Sequence, residues 1–425
     1  MKHIYNERYH ESYDEVVLDN GLHVILWHKP NYEKSMFMMM TPFGAMDLTQ
    51  IQGKEKIKHP SGIAHFLEHK MFAMDGDEDV MGLFSKMGAN VNAFTSYRET
   101  AYFASTCNDP KEPLKLLLDF VQELNIDQAS VEKEKGIILS ELHMYKEMSD
   151  QRLLMETYTS LFHKHPMRLD IAGEDDDVSA TTVEQLYQCY EMNYHPSNMI
   201  LICISGYDSK ELLELIEENQ KQKQFAPWKP CETVKEAEPQ SVVRSDFSFT
   251  MEVSEPKLCV AYKLKGIENS YERLKQEWTI RLLLDANFSS LNPNYQSWLD
   301  QKIINDFCGY DIEFGEDYGI LMFYSETSKP DEFIALCDHC VDEMKQGNIS
   351  DAVLNQLKRR YFAQGVRSMN DFHDIATGFC RSYFMGIDYF KTFEIVEEIC
   401  EQDIMEAGKR LNKEHRVLTR LMPET

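Results

Sequence analysis

Between residues 219 and 245 the chain reads NQKQKQFAPWKPCETVKEAEPQSVVRS, a stretch where apolar periodicity lapses and Pro, Lys, Gln and Glu accumulate. Such a segment cannot bury a hydrophobic face of its own and marks a linker. It constrains the fold more than any other feature, because it divides the 425 residues into a unit over 1–220, a linker over 221–245 and a unit over 246–425. Each unit is of ordinary domain size. With 43% hydrophobic and 27% charged residues, the composition is that of a globular chain.

The first unit opens with strand signals. DEVVLDNGLHVILWHK (14–29) sets two apolar-rich runs around Asn20-Gly21, a hairpin signature, and KSMFMMMTPFGAMD (34–47) reads as a strand buried on both faces. A helix follows Pro60-Ser61, with Ser61 as N-cap, and DVMGLFSKMGA (79–89) reads as a shorter helix closed by Gly88. NAFTSYRETAYFAST (92–106), rich in aromatic residues and threonine, is expected as strand. The spacing predicts long helices over 109–124 and 129–162, a shorter one over 182–194, and a returning strand over 198–207. Strands and helices are clustered and do not alternate regularly, which is an α+β pattern. The second unit repeats this outline: a strand at 257–266, a helix at 270–288, strands around 310–327, then helices to near the end.

Lys and Arg number 44 against 71 Asp and Glu, a formal net charge of −27. Such a surface repels nucleic acid and anionic membranes, and neutral or basic peptides are better-matched partners. The first residues, MKHIYNERYHESYDEVVLDNG, lack the apolar core of a signal peptide, and no later run of about 18 apolar residues could span a bilayer. The expected location is the cytoplasm. The ten cysteines lie mostly within apolar segments, as buried thiols do in a reducing compartment. Cys337 and Cys340 form a C-x-x-C inside an amphipathic helix with no second pair to complete a zinc knuckle, so a structural role is expected for them.

GIAHFLEHKMF (62–72) carries the chemistry. On a helix, His65, Glu68 and His69 share one face. Two imidazoles one turn apart can hold one metal ion, and a carboxylate beside them can take a proton from a water whose pKa zinc lowers to about 7. A polar stripe on a surface helix would use the same residues. Against that, Ile63, Ala64, Phe66, Leu67, Met71 and Phe72 surround them, and burying three ionisable groups without a metal is costly. A catalytic zinc takes a third protein ligand. VEKEKGIILSELHMY (131–145) supplies Glu134 and Glu141, seven residues apart and so about 20° apart around a helix, whereas Glu132 is expected at the surface.

H-x-x-E-H with a downstream E-x6-E is the inverted zinc motif, and the chain resembles the pitrilysin/insulinase family of zinc metallopeptidases, the inverzincins, in particular its half-length bacterial YmfH-like branch. DNGLHVIL, GIAHFLEHKMF, FSKMGANVNAFTSYRETAYFAST, VEKEKGIILSEL and YHPSNMILICISG fall in family order across the first unit. The resemblance implies two structurally similar domains, each an antiparallel sheet covered by helices. It implies one Zn2+ per chain on His65, His69 and Glu141, Glu68 as general base, Glu134 orienting the site and His143 facing away. Asn92, Ala93 and Phe94 would begin the edge strand that pairs with an extended peptide substrate. The matching helix of the second unit, EWTIRLLLDANF, has no histidine, so that unit is expected to be homologous and non-catalytic.

One departure bears on assembly. Family members that complete a site from their second half carry Arg and Tyr seven residues apart, and here YQSWLDQKIINDFCGY (295–310) places Asp300 and Phe307 there, with Tyr310 close by. The expected partner is therefore a homologous subunit that lacks the zinc motif and supplies the Arg–Tyr pair, with a homodimer as the alternative. The implied activity is a zinc-dependent endopeptidase acting on unstructured peptides or peptide leaders. A maturase dedicated to one modified peptide or one protein-modification pathway, and a non-catalytic core subunit of the same fold, are the alternatives.

Overall fold

A computed structural model describes residues 1–72 and 80–424. In chain order the elements begin with β1 (Lys2–Asn6), β2 (Glu11–Val17), β3 (His23–His28), β4 (Ser35–Thr41), β5 (Thr49–Gln52), β6 (Glu55–Lys58), α1 (Ile63–Met71), α2 (Val80–Lys86), β7 (Ala89–Thr95) and β8 (Thr100–Thr106). Next come α3 (Lys111–Val121), α4 (Gln128–Glu147), α5 (Ser149–Leu161), α6 (Asp175–Ala180), α7 (Val183–Asn193), β9 (Ile200–Ser205), α8 (Ser209–Lys221), β10 (Cys231–Thr233), β11 (Asp246–Met251) and β12 (Lys257–Leu264). The remainder is α9 (Ser270–Phe288), α10 (Tyr295–Asp300), β13 (Gly309–Phe314), β14 (Gly319–Glu326), α11 (Pro330–Lys345), α12 (Asp351–Ser368), α13 (Phe372–Met385), α14 (Tyr389–Glu398), α15 (Glu401–Arg410) and β15 (Arg416–Pro423).

Two compact units result, interleaved in sequence. One comprises Met1–His143, Leu169–Lys235 and Ser368–Phe384, the other Met144–Arg168, Glu236–Arg367 and Met385–Thr425. Of the stretch read as linker, 221–235 goes with the first unit and 236–245 with the second.

The first unit is built on a sheet of order β1-β2-β3-β9-β4-β8-β7. Val17 pairs with His23 across the expected hairpin, where Gly21 takes φ +89°, a left-handed conformation that glycine adopts without strain. All pairs are antiparallel except β3 with β9. Leu22, Val24, Leu26, Phe37, Met39, Tyr102, Leu201 and Cys203 line one face and pack with buried residues of α1, α3, α7 and α8. On the other face Phe379 of α13 meets Tyr13 and Trp27, with ring centroids 5.0 and 6.2 Å apart, and Arg381 clamps Glu99 at 2.7 Å. All seven residues of β4 are buried, as SMFMMMT suggests.

Three local expectations differ from what forms. The strand over 92–106 is a hairpin, β7 and β8, turned where Oγ of Ser96 accepts the N–H groups of Arg98 and Glu99. The helix over 129–162 breaks at Met148, whose extended backbone (φ −78°, ψ 118°) stands as the N-cap of α5 without a side-chain bond. The linker contributes β10, which pairs with β5 in a small sheet of order β10-β5-β6. Asp79, where the second expected helix began, lies outside the described residues.

The second unit has a sheet of order β11-β15-β12-β14-β13, antiparallel except for β11 with β15. One face, with Leu258, Val260, Tyr262, Ile312, Leu321 and Phe323, packs on α9, α11 and α15. Across the opposite face lies α5, over β12 and β15, where Oγ1 of Thr157 donates to Oγ1 of Thr419 at 3.0 Å. Cys337 and Cys340 are buried in α11, and burial pushes both thiols up, Cys340 to about 12, as a structural role requires.

Candidate metal centre

Helix α1 begins at a crossing of two glycines. Gly62 takes φ +80°, and a Cβ there would lie 2.2 Å from the carbonyl oxygen of Ala172; one on Gly173 would lie 2.5 Å from that of Ser61. Only glycine allows so close a backbone approach. Ser61 is not the N-cap, a place that Gly62 takes without a side-chain bond. Its hydroxyl instead donates to Oδ2 of Asp177 at 2.6 Å and accepts from the N–H of Glu174, tying the start of α1 to α6. With this anchor, Ile63, Ala64, Phe66, Leu67 and Met71 are buried, each large one worth about 1.5–3 kcal/mol, and the intervening His65, Glu68 and His69 turn together to a partly exposed face.

Helix α4 brings Glu141 to that face. Its Oε2 stands 3.4 Å from Nε2 of His69 and 3.9 Å from Nε2 of His65, and the two imidazole centroids are 4.5 Å apart. Among the described residues, His65, His69 and Glu141 are the group of His, Cys, Asp or Glu whose ligand atoms all lie within 4.8 Å of one another. Two nitrogens and an oxygen at about 2.0–2.1 Å from a tetrahedral zinc would be about 3.3 Å apart, so the donor set fits that ion.

Glu134, one heptad earlier on α4, takes a different partner. Its Oε1 accepts from Nδ1 of His69 at 3.0 Å, which keeps the proton on Nδ1 and leaves the Nε2 lone pair facing Glu141. Its Oε2 lies 3.4 Å from Nζ of Lys70, a lysine only 3% exposed. Burial opposes charge on both His69 and Glu134, yet their hydrogen bond and the surrounding charges prevail, raising His69 and lowering Glu134. Burial, reinforced by the charge of His69, holds His65 down to about 4, so it is neutral with a lone pair to offer.

Glu68 is turned aside from the three donors. Oγ1 of Thr95, the last residue of β7, donates to its Oε2 at 3.3 Å, and burial raises its pKa against the opposing pull of His69 and Thr95. Asn92, Ala93 and Phe94 immediately precede Thr95 on β7, the edge strand of the sheet. Oδ1 of Asn92 accepts the N–H of Ala93, and Phe94 packs between Phe103 and His373. Sequence reasoning missed Thr95 and Lys70. A lysine at a position of α1 flanked by buried residues was the available signal for the second. His143 faces away, paired with Asp175, and Glu132 is at the surface with Lys135.

In the second unit, Asp300 ends α10 exposed and accepts from Gln296, while Phe307 is 70% exposed. The hydroxyl of Tyr310 donates to Asp285 at 2.5 Å, and Tyr361 donates to the other oxygen of the same carboxylate, so Tyr310 is engaged within its own unit.

Comparison with known proteins bears on this geometry. Residues 55–175 match the family model described as Insulinase (Peptidase family M16), and residues 180–361 match Peptidase M16 inactive domain. The chain is 32% identical over 408 residues to an uncharacterized zinc protease, YmfH, of Bacillus subtilis (strain 168), covering 95% of each. The crystal structure of an M16-like peptidase from Alicyclobacillus acidocaldarius matches with a TM-score of 0.92 at 29% identity, over 97% of this chain and 98% of that one. The periplasmic protease PqqL from Escherichia coli shares the fold, with a TM-score of 0.71 at 19% identity over 99% of this chain and 48% of that one. Likeness along nearly the full length of a zinc protease, with both family models matched in order, shows that the chain belongs to the insulinase family of peptidases, M16.

Proposed function

We propose that this chain is the metal-carrying subunit of a zinc-dependent endopeptidase acting on unstructured peptides or peptide leaders. The observation behind this reading is the division of labour among five residues. His65, His69 and Glu141 converge on one point, Glu68 is held aside by Thr95, and Glu134 is engaged by His69 and Lys70. A non-catalytic core subunit would have no need of that arrangement. Bound zinc would act as a Lewis acid, polarising the scissile carbonyl and lowering the pKa of water to about 7.

Glu68 takes a proton from the attacking water as the oxygen bonds to the carbonyl carbon, then delivers it to the leaving nitrogen as the C–N bond breaks. Glu134 holds His69 in the tautomer that presents Nε2. The peptide lies along β7, pairing its backbone with Asn92, Ala93 and Phe94, a mode of binding that reads little of the side-chain sequence. Negative charge developing on the carbonyl oxygen needs a donor, and the loss of one commonly costs about 10²–10³ in rate. Neither Asp300 nor Phe307 can donate, and Tyr310 is bonded to Asp285. The donor pair therefore comes from a homologous partner without the zinc motif; the PqqL chain, of which this chain covers 48%, is long enough to hold two such folds. No helix among the described residues is long and apolar enough to cross a membrane, and the proposed site of action is the cytoplasm.

The test is cleavage of an unstructured peptide by the zinc-loaded chain, alone and mixed with its homologous partner. Activity is expected on mixing, with a loss of about 10²–10⁴ in Glu68→Gln while zinc is retained. Wild-type turnover by Glu68→Gln refutes the mechanism, and full activity from the isolated chain refutes the partner.

A further inference from the structure

Residues 221–235, the part of the linker that stays with the first unit, are tied to it at several points. Nζ of Lys223 donates to the carbonyl of Leu118 at 2.8 Å, Nε1 of Trp228 to the carbonyl of Met192 at 3.0 Å, and Nε2 of Gln52 to the carbonyl of Lys229 at 3.0 Å. Between these anchors the linker forms one wall of a cavity of about 730 Å3, whose other walls are α7, the chain just after α3 and the β5–β6 hairpin. Aromatic rings line it. Tyr190 lies on Tyr194 with centroids 5.0 Å apart, and Trp228 lies on His195 at 5.9 Å with the planes 8° apart, while Phe225 meets His195 edge-on at 5.7 Å. The polar atoms of these rings are already spent. Tyr190 donates to the carbonyl of Val121 at 3.2 Å, Tyr194 shares a bond with the hydroxyl of Tyr102, and His195 accepts the N–H of Ser197 and bonds the backbone of Ala226. With Trp228 bonded to Met192, what the rings offer the cavity is π surface, whose faces carry partial negative charge.

The charge around the rings has the same sign. Glu55, Glu123 and Glu191 line the cavity, all exposed, and among the described residues none of their carboxylates takes part in a hydrogen bond or an ion pair. The charge of Glu123 bears on Tyr190, adding to burial in pushing its hydroxyl up, so one carboxylate stands beside the rings. Of the two lysines on the lining, Lys223 is committed to Asp119 at 3.1 Å, and among the described residues only Lys229 is left without a partner. A neutral apolar molecule gains nothing from the carboxylates, and a primary ammonium gives up water to rings that have no acceptor left to offer. A quaternary ammonium group has no N–H to leave unpaired and is attracted by aromatic faces, so it matches both features. We propose that this cavity binds a quaternary ammonium group, seated against Trp228 and Tyr190 with Glu123 and Glu191 as counter-charges. A small molecule and a trimethylated lysine side chain both carry that chemistry, and the experiment separates them. The site has no residue in common with the metal centre, and binding there needs neither zinc nor cleavage.

The experiment is calorimetric titration of the full chain with choline and with 3,3-dimethyl-1-butanol, which has the same shape and no charge. A short peptide carrying either trimethyllysine or unmodified lysine at one position forms the second arm. Choline should bind more tightly than the alcohol by about 5–30-fold, the share of a desolvated cation–π contact. Trp228→Leu should weaken choline by a similar factor, and Trp228→Phe, which keeps a π face, should recover most of it. Glu123→Gln, at an exposed position, leaves the rings untouched and should weaken choline but not the alcohol by about 2–5-fold, less at high salt. Circular dichroism checks that each variant is folded. Whichever of choline and the trimethyllysine peptide binds more tightly names the source of the group. Equal affinity for choline and the alcohol, no binding of any probe, or wild-type choline affinity in both Trp228→Leu and Glu123→Gln would each overturn the proposal. So would an unmodified peptide that binds as tightly as choline. The peptidase reading stands or falls separately, on cleavage by the zinc-loaded mixture and its loss in Glu68→Gln.

Discussion

Removing the carboxylate of Glu134 should separate two functions that meet in one side chain. One oxygen accepts from Nδ1 of His69 at 3.0 Å, the other faces Nζ of Lys70 at 3.4 Å. For zinc, the relevant loss is the partner that orients His69. Outer hydrogen bonds of this kind typically contribute 10–100-fold in metal affinity. Glu134→Gln keeps an acceptor and should weaken zinc by about 10-fold, whereas Glu134→Ala removes it and should weaken zinc by about 100-fold, or ~2.7 kcal/mol. For the fold, the relevant loss is the counter-charge of a buried cation. With alanine at 134, Lys70 keeps only the carbonyl of Ser130, itself 3.4 Å away. Stranding one member of a buried pair costs about 3–5 kcal/mol, and the long Lys70 contact places this case near the lower end. Adding Lys70→Met to Glu134→Ala should therefore restore most of the stability while leaving zinc affinity low. Competition with a chromophoric chelator measures the first quantity, and urea unfolding of the metal-free protein the second. Zinc binding by Glu134→Ala as tight as wild type would refute the orienting role, and failure of Lys70→Met to restore stability would refute the ion-pair argument.

Metal analysis should find one zinc per chain, abolished in a His65→Ala/His69→Ala variant; two ions per chain, or unchanged stoichiometry in that variant, would contradict the assignment. His59 is buried and its Nε2 donates to Oε1 of Gln50 at 3.1 Å, and burial lowers its pKa from 6.5 to about 4. Its contribution to stability is thus complete above pH 6.5 and lost as pH falls toward 4, by about 2 kcal/mol at pH 5. In His59→Gln the drop between pH 8 and pH 5 should shrink by that amount, and parallel curves for the two proteins would show that His59 is not held neutral. In the second unit Nζ of Lys263 sits among Glu238, Leu161, Pro239 and Ser241 at 2.6–3.1 Å. Lys263→Met should destabilise by about 3 kcal/mol or more, and Glu238→Gln added to it should recover part of that. If the single variant unfolds at the wild-type urea concentration, the buried pair contributes nothing.

Much of the metal centre was legible before any coordinates. The i, i+3, i+4 spacing of His65, Glu68 and His69 and the seven-residue spacing of Glu134 and Glu141 are helix geometry, and helix geometry is local. The same holds for the Asn20-Gly21 hairpin, the doubly buried β4 and the helical C-x-x-C, each specified by neighbours along the chain. Asp300 and Phe307 were also readable as residues without the Arg and Tyr side chains that the resemblance implies at their places. Their surroundings were not, since the bond from Tyr310 to Asp285 joins residues far apart in sequence.

What the tertiary structure decided shares that long-range character. Thr95 beside Glu68, Lys70 against Glu134 and the crossing of Gly62 with Gly173 each join segments that no periodicity connects. The break at Met148 has no side-chain cap to mark it, and it falls where α5 goes to the second unit while α4 keeps Glu141 in the first. Phe372–Met385 reads as a helix of the C-terminal half, yet most of it belongs to the first unit, because Phe379 finds the rings of Tyr13 and Trp27 on an apolar sheet face that needs a cover. Periodicity says which face of an element is apolar. Which other element buries that face is decided by packing the whole chain at once, and that choice assembles the surroundings of His65, His69 and Glu141.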